Sequence, residues 1–244
     1  MWQALREELH PQGVELVTVG LDTLGGEGCR DFINAAAATH PALLDQYHLL
    51  AHTLGIINIP SSVWVDEQGM IVRPAEAAPA PPREHAPARP AMPSELPQRF
   101  LDIFGEAAKI QSQPEAYHAA LRDWVAKGAD SQFAMSPEQV VARSRPRTAE
   151  VALGHAHFEL ATALELDAHH DAAIEHFRAA HRLVPDSWTF RRQAWSLEPG
   201  IEGPLARFWQ GPSENDPPAW PYEGDWLADV RKEGAENYSE AWSP

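Results

Sequence analysis

The sequence predicts a mixed fold, with an α/β unit in residues 1–78 followed by an all-α helical unit in residues 94–198. Two short runs of β-forming residues flank Asp66–Gly69, which is typical of a tight hairpin because glycine supplies the positive φ of the turn. Residues 79–93 are rich in proline and alanine without apolar periodicity, which indicates an extended linker. Beyond the linker, apolar residues recur at helical spacing as far as Trp195.

Within residues 1–78 the hydrophobic pattern predicts three helices, one buried strand and the hairpin. The predicted helices are Trp2–His10, Cys29–Thr39 and Ala42–Leu54, and the predicted strands are Val14–Gly20, Ser62–Val65 and Met70–Val72. Pro11 and Gly13 are expected to end the first helix. The strand Val14–Gly20 is apolar enough to be buried on both faces.

Ile59 and Pro60 directly precede the first hairpin strand, and the segment Leu54–Arg73 as a whole resembles the thioredoxin-like superfamily (TlpA/redoxin, AhpC/TSA-type). The resemblance extends over about residues 1–75 and implies an incomplete thioredoxin-like domain with a cis peptide bond at Pro60. It also implies that the backbone beside this proline contacts a substrate or partner. Ile59 and Pro60 are therefore the candidate binding residues.

The same resemblance implies thiol–disulfide oxidoreductase or peroxidase chemistry, which needs a Cys-x-x-Cys pair at the start of the first helix. Cys29 is the single cysteine of the chain, so neither that pair nor an intramolecular disulfide can form. The sequence therefore predicts a fragment or a redox-inactive form of this family, without dithiol activity.

In the family a strand precedes the first helix and lies between the strands that match Val14–Gly20 and Ser62–Val65. No such strand precedes the helix predicted from Trp2, and a sheet without its middle strand leaves unpaired backbone groups on both neighbours. Three arrangements stay open. Met1 could be an internal methionine of a longer gene product, the two strands could pair directly, or another segment or protomer could fill the gap, as in a homodimer.

The sequence of the helical unit contains clear signals for where helices begin and end. Pro114 is expected to open a helix that Gly128 closes, and Ser136–Gln139 has the pattern of a capping box with proline at the first helical position. Leu96, Phe100, Ile103 and Phe104 lie on one face of an earlier predicted helix.

Residues 154–187 resemble one tetratricopeptide unit, in length and in residue pattern. The matching positions are Leu160, Ala161, Leu164, Ala173, Phe177, Ala180 and Pro185, whereas His157 stands where the repeat has tryptophan. One repeat cannot bury its own face, so neighbouring helices are expected to stack beside it. The resemblance implies a concave surface that binds a protein or peptide partner.

Residues 199–244 alternate prolines with aromatic residues, and a disordered tail would be poor in aromatics. We expect this segment to pack over the chain's own helices as an irregular arm.

The composition excludes several classes of function. A formal net charge of -16 disfavours nucleic-acid binding. No apolar run is long enough to cross a membrane, and the N-terminus lacks the apolar region of a signal peptide, which favours the cytoplasm if Met1 is the true start. The twelve histidines show no metal-binding spacing, so neither a metal nor another cofactor is expected.

Three functions follow from these patterns. The first is membership of the TlpA/redoxin family in a redox-inactive form, and the second is a non-catalytic helical-repeat module for protein interaction. The third is a one-cysteine peroxidase that uses Cys29, which lies near a helix start where the dipole favours a thiolate. Arg30 would favour that thiolate, whereas Glu27 and Asp31 would oppose it.

Overall fold

The computed structural model describes residues 2–79, 96–198, 209–212, 220–239 and 242. This part of the chain is mostly helical, with two small sheets near the N-terminus. Among the helices in these ranges, none combines the length and the apolar character that crossing a bilayer requires. All but the first residue of the predicted linker, and much of the predicted C-terminal arm, lie outside the described residues.

The N-terminal unit alternates short helices and strands. Its elements are α1 (Trp2–Leu9), β1 (Thr18–Gly20), α2 (Gly26–Ala36), β2 (Ala42–Leu44), α3 (Leu49–Leu54), β3 (Ser61–Val65) and β4 (Ile71–Ala77). As expected, the chain leaves the first helix at Pro11 and Gly13, through a short 3-10 turn in which Gly13 adopts a left-handed conformation with φ of 91°.

The prediction of one helix over Ala42–Leu54 is wrong. Its first residues form β2, which pairs in parallel with β1, and α3 begins only at Leu49. The cause is Asp45, whose carboxylate accepts hydrogen bonds from the backbone N–H groups of Leu49 and Leu50, both at 2.8 Å. Because this carboxylate caps the first turn of α3, the helix starts after Asp45 rather than before it.

β1 is shorter and more exposed than the sequence predicts. The strand covers Thr18–Gly20 instead of Val14–Gly20, and the Val17 side chain that precedes it is 50% exposed. β1 and β2 form one two-stranded sheet, and β3 and β4 form another. Within the described residues β1 does not pair with β3, so the direct pairing that the sequence left open is not observed.

The hairpin is confirmed. β3 and β4 pair antiparallel, the peptide bond between Ile59 and Pro60 is cis, and Gly69 has a φ of 79°. The Asp66 carboxylate accepts the backbone N–H of Met70 at 2.8 Å, which closes the turn. β4 extends further than predicted, and its pairing register shifts where Pro74 lies, because proline cannot donate to the ladder.

A buried arginine organises the core beside the hairpin. Arg73 on β4 is fully buried and lies between the rings of Trp64 and Trp242, with its guanidinium carbon 5.3 Å from each ring centroid. It donates two hydrogen bonds of 2.8 Å to the Glu76 carboxylate. Trp242 donates to the same carboxylate at 3.2 Å. This cluster therefore joins the hairpin to a residue near the C-terminus.

The helical unit begins with three separate helices, α4 (Gln98–Ala107), α5 (Pro114–Lys127) and α6 (Pro137–Arg143). As predicted, α5 opens at Pro114 and ends before Gly128, and α6 begins with the Ser136 capping box. On α5 the Tyr117 hydroxyl lies 2.7 Å from Ser62 Oγ on β3, so this helix packs against the hairpin.

The remaining helices form one core with part of the C-terminal segment. They are α7 (Ala149–Leu166), α8 (His170–Leu183), α9 (Trp188–Ser196) and α10 (Trp226–Glu233). α7 and α8 pack side by side, and the small or aromatic residues of the tetratricopeptide-like pattern are buried between them, namely Ala161, Ala173, Phe177 and Ala180. Leu160 departs from that pattern, because its side chain is 45% exposed.

The described part of the C-terminal segment contains a regular helix, whereas the sequence predicts an irregular arm. α10 is capped by Asp225, whose carboxylate accepts the backbone N–H groups of Leu227 and Ala228. Trp226 and Val230 join the core that contains Phe158 and Phe177, as expected for packing onto the chain's own helices.

We predict that the Arg73→Met substitution lowers the free energy of unfolding by about 3–5 kcal/mol, because it leaves the largely buried Glu76 carboxylate without its cation. Urea unfolding followed by tryptophan fluorescence measures the change. The double variant Arg73→Met/Glu76→Leu should regain part of the loss, since it removes both charges. A single-variant loss below about 1 kcal/mol would show that the ion pair is not a structural requirement.

Gly154 on α7 provides a second stability test. A Cβ at this position would lie 2.4 Å from Val184 Cγ2 and 3.3 Å from Leu183 Cβ, so Gly154→Ala should cost about 1–3 kcal/mol despite the better helix propensity of alanine. Gly105 on α4 has no neighbour within 4 Å of such a Cβ, and Gly105→Ala should instead stabilise the protein by up to about 1 kcal/mol. Thermal unfolding of the two variants should therefore shift in opposite directions.

Candidate functional site

The N-terminal unit contacts the helical unit through α3. The imidazole rings of His52 on α3 and His155 on α7 stack with centroids 3.5 Å apart and planes 7° from parallel. One turn earlier, His48 lies with its ring centroid 4.6 Å from that of Phe158. Next to these contacts the surfaces of the two units separate and leave two clefts.

The larger cleft, here called the junction cleft, has a volume of about 310 Å³. It lies between the end of α3, the hairpin, the loop before α7 and the first turns of α7. Apolar side chains supply much of its wall, namely Leu54, Ile56, Ile57, Val63, Ile71, Pro74, Val151 and Val184. A volume of this size, with a mainly apolar wall and a few polar groups, is typical of a ligand site.

The smaller cleft, here called the proline cleft, has a volume of about 150 Å³ and contains the two predicted binding residues, Ile59 and Pro60. The Ile59 side chain is 50% exposed. Both clefts are lined by Gly55–Ile57 and by Ala75 of β4, so they adjoin and form one groove.

The walls of the groove are fixed by hydrogen bonds between the two units. The Ile57 carbonyl accepts the backbone N–H of Thr189 at 3.0 Å, and the Asn58 side chain donates to the Tyr238 carbonyl at 2.6 Å. These bonds fix the segment before Pro60 against α9 and the C-terminal segment, so the groove is largely preformed.

Basic and imidazole side chains gather at the junction cleft. Arg147 and Arg145 come from the loop before α7, and His52 and His155 face them from the two helices. Arg145 pairs with the carboxylate of Asp186, whereas Arg147 donates a hydrogen bond to the backbone carbonyl of Thr53.

Burial and the surrounding positive charge keep the histidines of this cluster neutral near pH 7. Burial, with the neighbouring His52, His48 and Arg147, lowers the pKa of His155 to about 3. Burial also lowers the pKa of His48 to about 4, although Asp45 acts in the opposite direction. The pKa of His52 is lowered too, by burial and Arg147, against an opposing effect of Glu159.

Cys29 is not brought to the groove. It lies on the first turns of α2, and a Cβ on Gly20 would come 2.8 Å from its sulfur. Burial and the Asp22 carboxylate raise the pKa of the Cys29 thiol, which reduces the thiolate fraction that a peroxidase needs. This environment disfavours the one-cysteine peroxidase hypothesis.

A second histidine pair lies on the helical hairpin, where His157 Nδ1 is 2.8 Å from His176 Nδ1. The ring centroids are 5.1 Å apart, so the two nitrogens point at each other in a hydrogen bond and do not converge on a third point where a metal ion could bind. In the described part of the chain, no group of three or more metal-binding side chains of histidine, cysteine, aspartate or glutamate occurs.

Comparison with known proteins identifies no relative: no family model, no curated protein and no solved structure matches the chain.

Sequence reasoning named Ile59 and Pro60, which line the proline cleft, but named no binding residue in the junction cleft beside it. One signal was available, since Arg143, Arg145 and Arg147 alternate with serine and proline in an otherwise acidic chain. His52 and His155 gave no such signal, because they are distant in sequence and meet only when α3 packs on α7.

The histidine cluster predicts acid sensitivity. The pKa of His155 is lower in the folded protein, about 3, than in the unfolded chain, about 6.5, so its stabilising contribution is complete above pH 6.5 and is lost as the pH falls below that value. His155→Phe should reduce the pH dependence of the unfolding free energy by up to about 1.4 kcal/mol per pH unit between pH 6 and 4. Urea unfolding at a series of pH values measures it.

The control is His169→Gln, which changes an exposed histidine at the start of α8. If the unfolding free energy of His155→Phe depends on pH as strongly as that of the control, His155 is not the source of the acid sensitivity.

Proposed function

We propose that this chain is a non-catalytic binding protein that holds an extended peptide in the groove formed by the junction cleft and the proline cleft. The observation that carries the proposal is the continuity of the two clefts, which share Gly55–Ile57 and Ala75, with a mainly apolar wall in the junction cleft and a mixed polar and apolar wall in the proline cleft. An extended peptide fits such a groove, because its alternate side chains can enter apolar recesses while its backbone follows the wall.

The position of Cys29 argues against thiol chemistry at the groove. Cys29 lines neither cleft, and its thiol has a raised pKa. We propose further that residues 1–78 derive from a thioredoxin-like protein of the TlpA/redoxin type, in a form without the cysteine pair. The hairpin after Pro60 and the parallel pair of β1 and β2 support this derivation, as does the position of Pro60 in the groove.

The helical unit contributes the second wall of the groove. α7 and α8 pack as a pair with the buried small residues of a tetratricopeptide-like unit, and α7 supplies Val151 and His155 to the junction cleft. The proposal therefore combines the thioredoxin-like and helical-repeat hypotheses, since the binding surface needs both units.

Selection from a library of random twelve-residue peptides against the purified chain tests this function. Selected peptides should bind the unaltered protein and should lose at least about tenfold in affinity for Ala75→Trp, because Ala75 lines both clefts and a tryptophan there would occupy the space they share. The matched control is Ala119→Trp, on the exposed face of α5. Peptides that bind Ala75→Trp as well as the control, or a selection without any binder, would contradict the proposal.

A further inference from the structure

The groove is electrically asymmetric, although the chain as a whole has a net charge of -16. Arg147, His52 and His155 line the junction cleft but not the proline cleft. In the proline cleft the Glu76 carboxylate is paired with Arg73 and the Glu233 carboxylate with Arg191, while Arg145 and Asp186, which line both clefts, pair with each other. Among the described residues, a peptide that spans both clefts therefore meets a cation without a carboxylate partner at the junction-cleft end and only paired charges in the proline cleft.

Arg147 is the cation of the cluster that is available to a ligand. Among the described residues no carboxylate forms an ion pair with Arg147, and its hydrogen bond to the Thr53 carbonyl uses one of the five donors of the guanidinium. Arg145, in contrast, is already paired with Asp186. A guanidinium with free donors at the wall of an apolar cleft is a favourable partner for a carboxylate, which it can bind through two parallel hydrogen bonds.

The two histidines strengthen this preference. His155 is buried and stacked on His52, and both are neutral near pH 7 because of burial and of the positive charge of Arg147. A bound carboxylate would offset that positive charge and accept hydrogen bonds from a ring N–H. Burial is the larger cause of the lowered pKa values and disfavours either charge, so the preference for an anion comes from the Arg147 guanidinium and the ring N–H groups.

We infer that the junction cleft binds the C-terminal carboxylate of a peptide through Arg147, with the preceding residues of the peptide running toward Pro60. This inference rests on the proposed function, because it specifies which end of the peptide the groove recognises.

Two features favour a terminal carboxylate over an acidic stretch. Arg147 lies at one end of the groove, where a chain terminus would lie, and each charged side chain described in the proline cleft already has a partner of opposite charge. Further negative charge along the peptide would therefore find no second cation there. Because Asp186 already pairs with Arg145, Arg147 is the arginine of the junction cleft that is left for a single negative group. The partner is therefore a peptide with an apolar, otherwise uncharged C-terminal segment.

Two random decapeptide libraries test the inference, one displayed with a free C-terminus and one joined to its carrier through the C-terminus. Binders should come from the free library. Conversion of a selected peptide to its C-terminal amide should weaken binding at least tenfold. In Arg147→Met the acid and the amide should bind with nearly equal affinity, and Arg143→Met, which changes an arginine outside both clefts, should keep the tenfold difference.

The outcomes separate the two proposals. One outcome is that peptides lose affinity for Ala75→Trp but bind equally as acid and amide. That result would overturn the recognition of a terminal carboxylate and leave the proposal of a peptide-binding groove standing. Binders found only in the library whose C-terminus is joined to the carrier, and bound through an aspartate or glutamate side chain, would have the same consequence. A tenfold difference that persists in Arg147→Met would assign the carboxylate to another cation and overturn the role of Arg147. No binder in either library would overturn both proposals.

Discussion

The packing of α3 and the segment after it onto the helical unit is the constraint on which the groove depends. The stacked rings of His52 and His155, the bond from Thr189 to the Ile57 carbonyl and the bond from Asn58 to Tyr238 act along one continuous stretch of chain. Because these contacts are polar and partly buried, each must form with good geometry or leave a desolvated group unpaired. The same packing that holds the two units together therefore also shapes the walls of both clefts.

The Arg73 cluster supports the opposite wall. Arg73 faces a core with Trp64 and Trp242, while the next two residues of β4, Pro74 and Ala75, line the groove. Successive side chains of a strand point to opposite faces, so anchoring Arg73 in the core directs its neighbour Pro74 toward the groove. The register shift at this place in the strand adjusts the direction further. The ion pair and the groove thus share one strand, and Glu76, the partner of Arg73, itself lines the proline cleft.

Sequence reasoning succeeded where structure is set by neighbours in the chain. Asp66 and Gly69 define the hairpin turn, and Ser136 and Gln139 define the start of α6, through hydrogen bonds within five residues. It failed over Ala42–Leu54, where an apolar run fits a helix or a buried strand equally well and pairing with β1 decides the outcome. It also failed at the junction cleft, whose walls come from four separate segments. Long-range packing of this kind leaves no local pattern to read.

Burial shifts the pKa of the Cys29 thiol and of the histidines at the groove, with different consequences for the charge each site accepts. At the start of α2, burial and Asp22 hold Cys29 as a thiol, away from both clefts. At the end of α3, burial and Arg147 hold His52 and His155 neutral at a cleft wall. At Cys29 the thiolate anion is the disfavoured species. At His52 and His155 it is the protonated, cationic imidazole. Burial disfavours both charged species, but a carboxylate lies beside the thiol and a guanidinium beside the imidazoles. We therefore expect an anion to bind at the groove and not near the thiol.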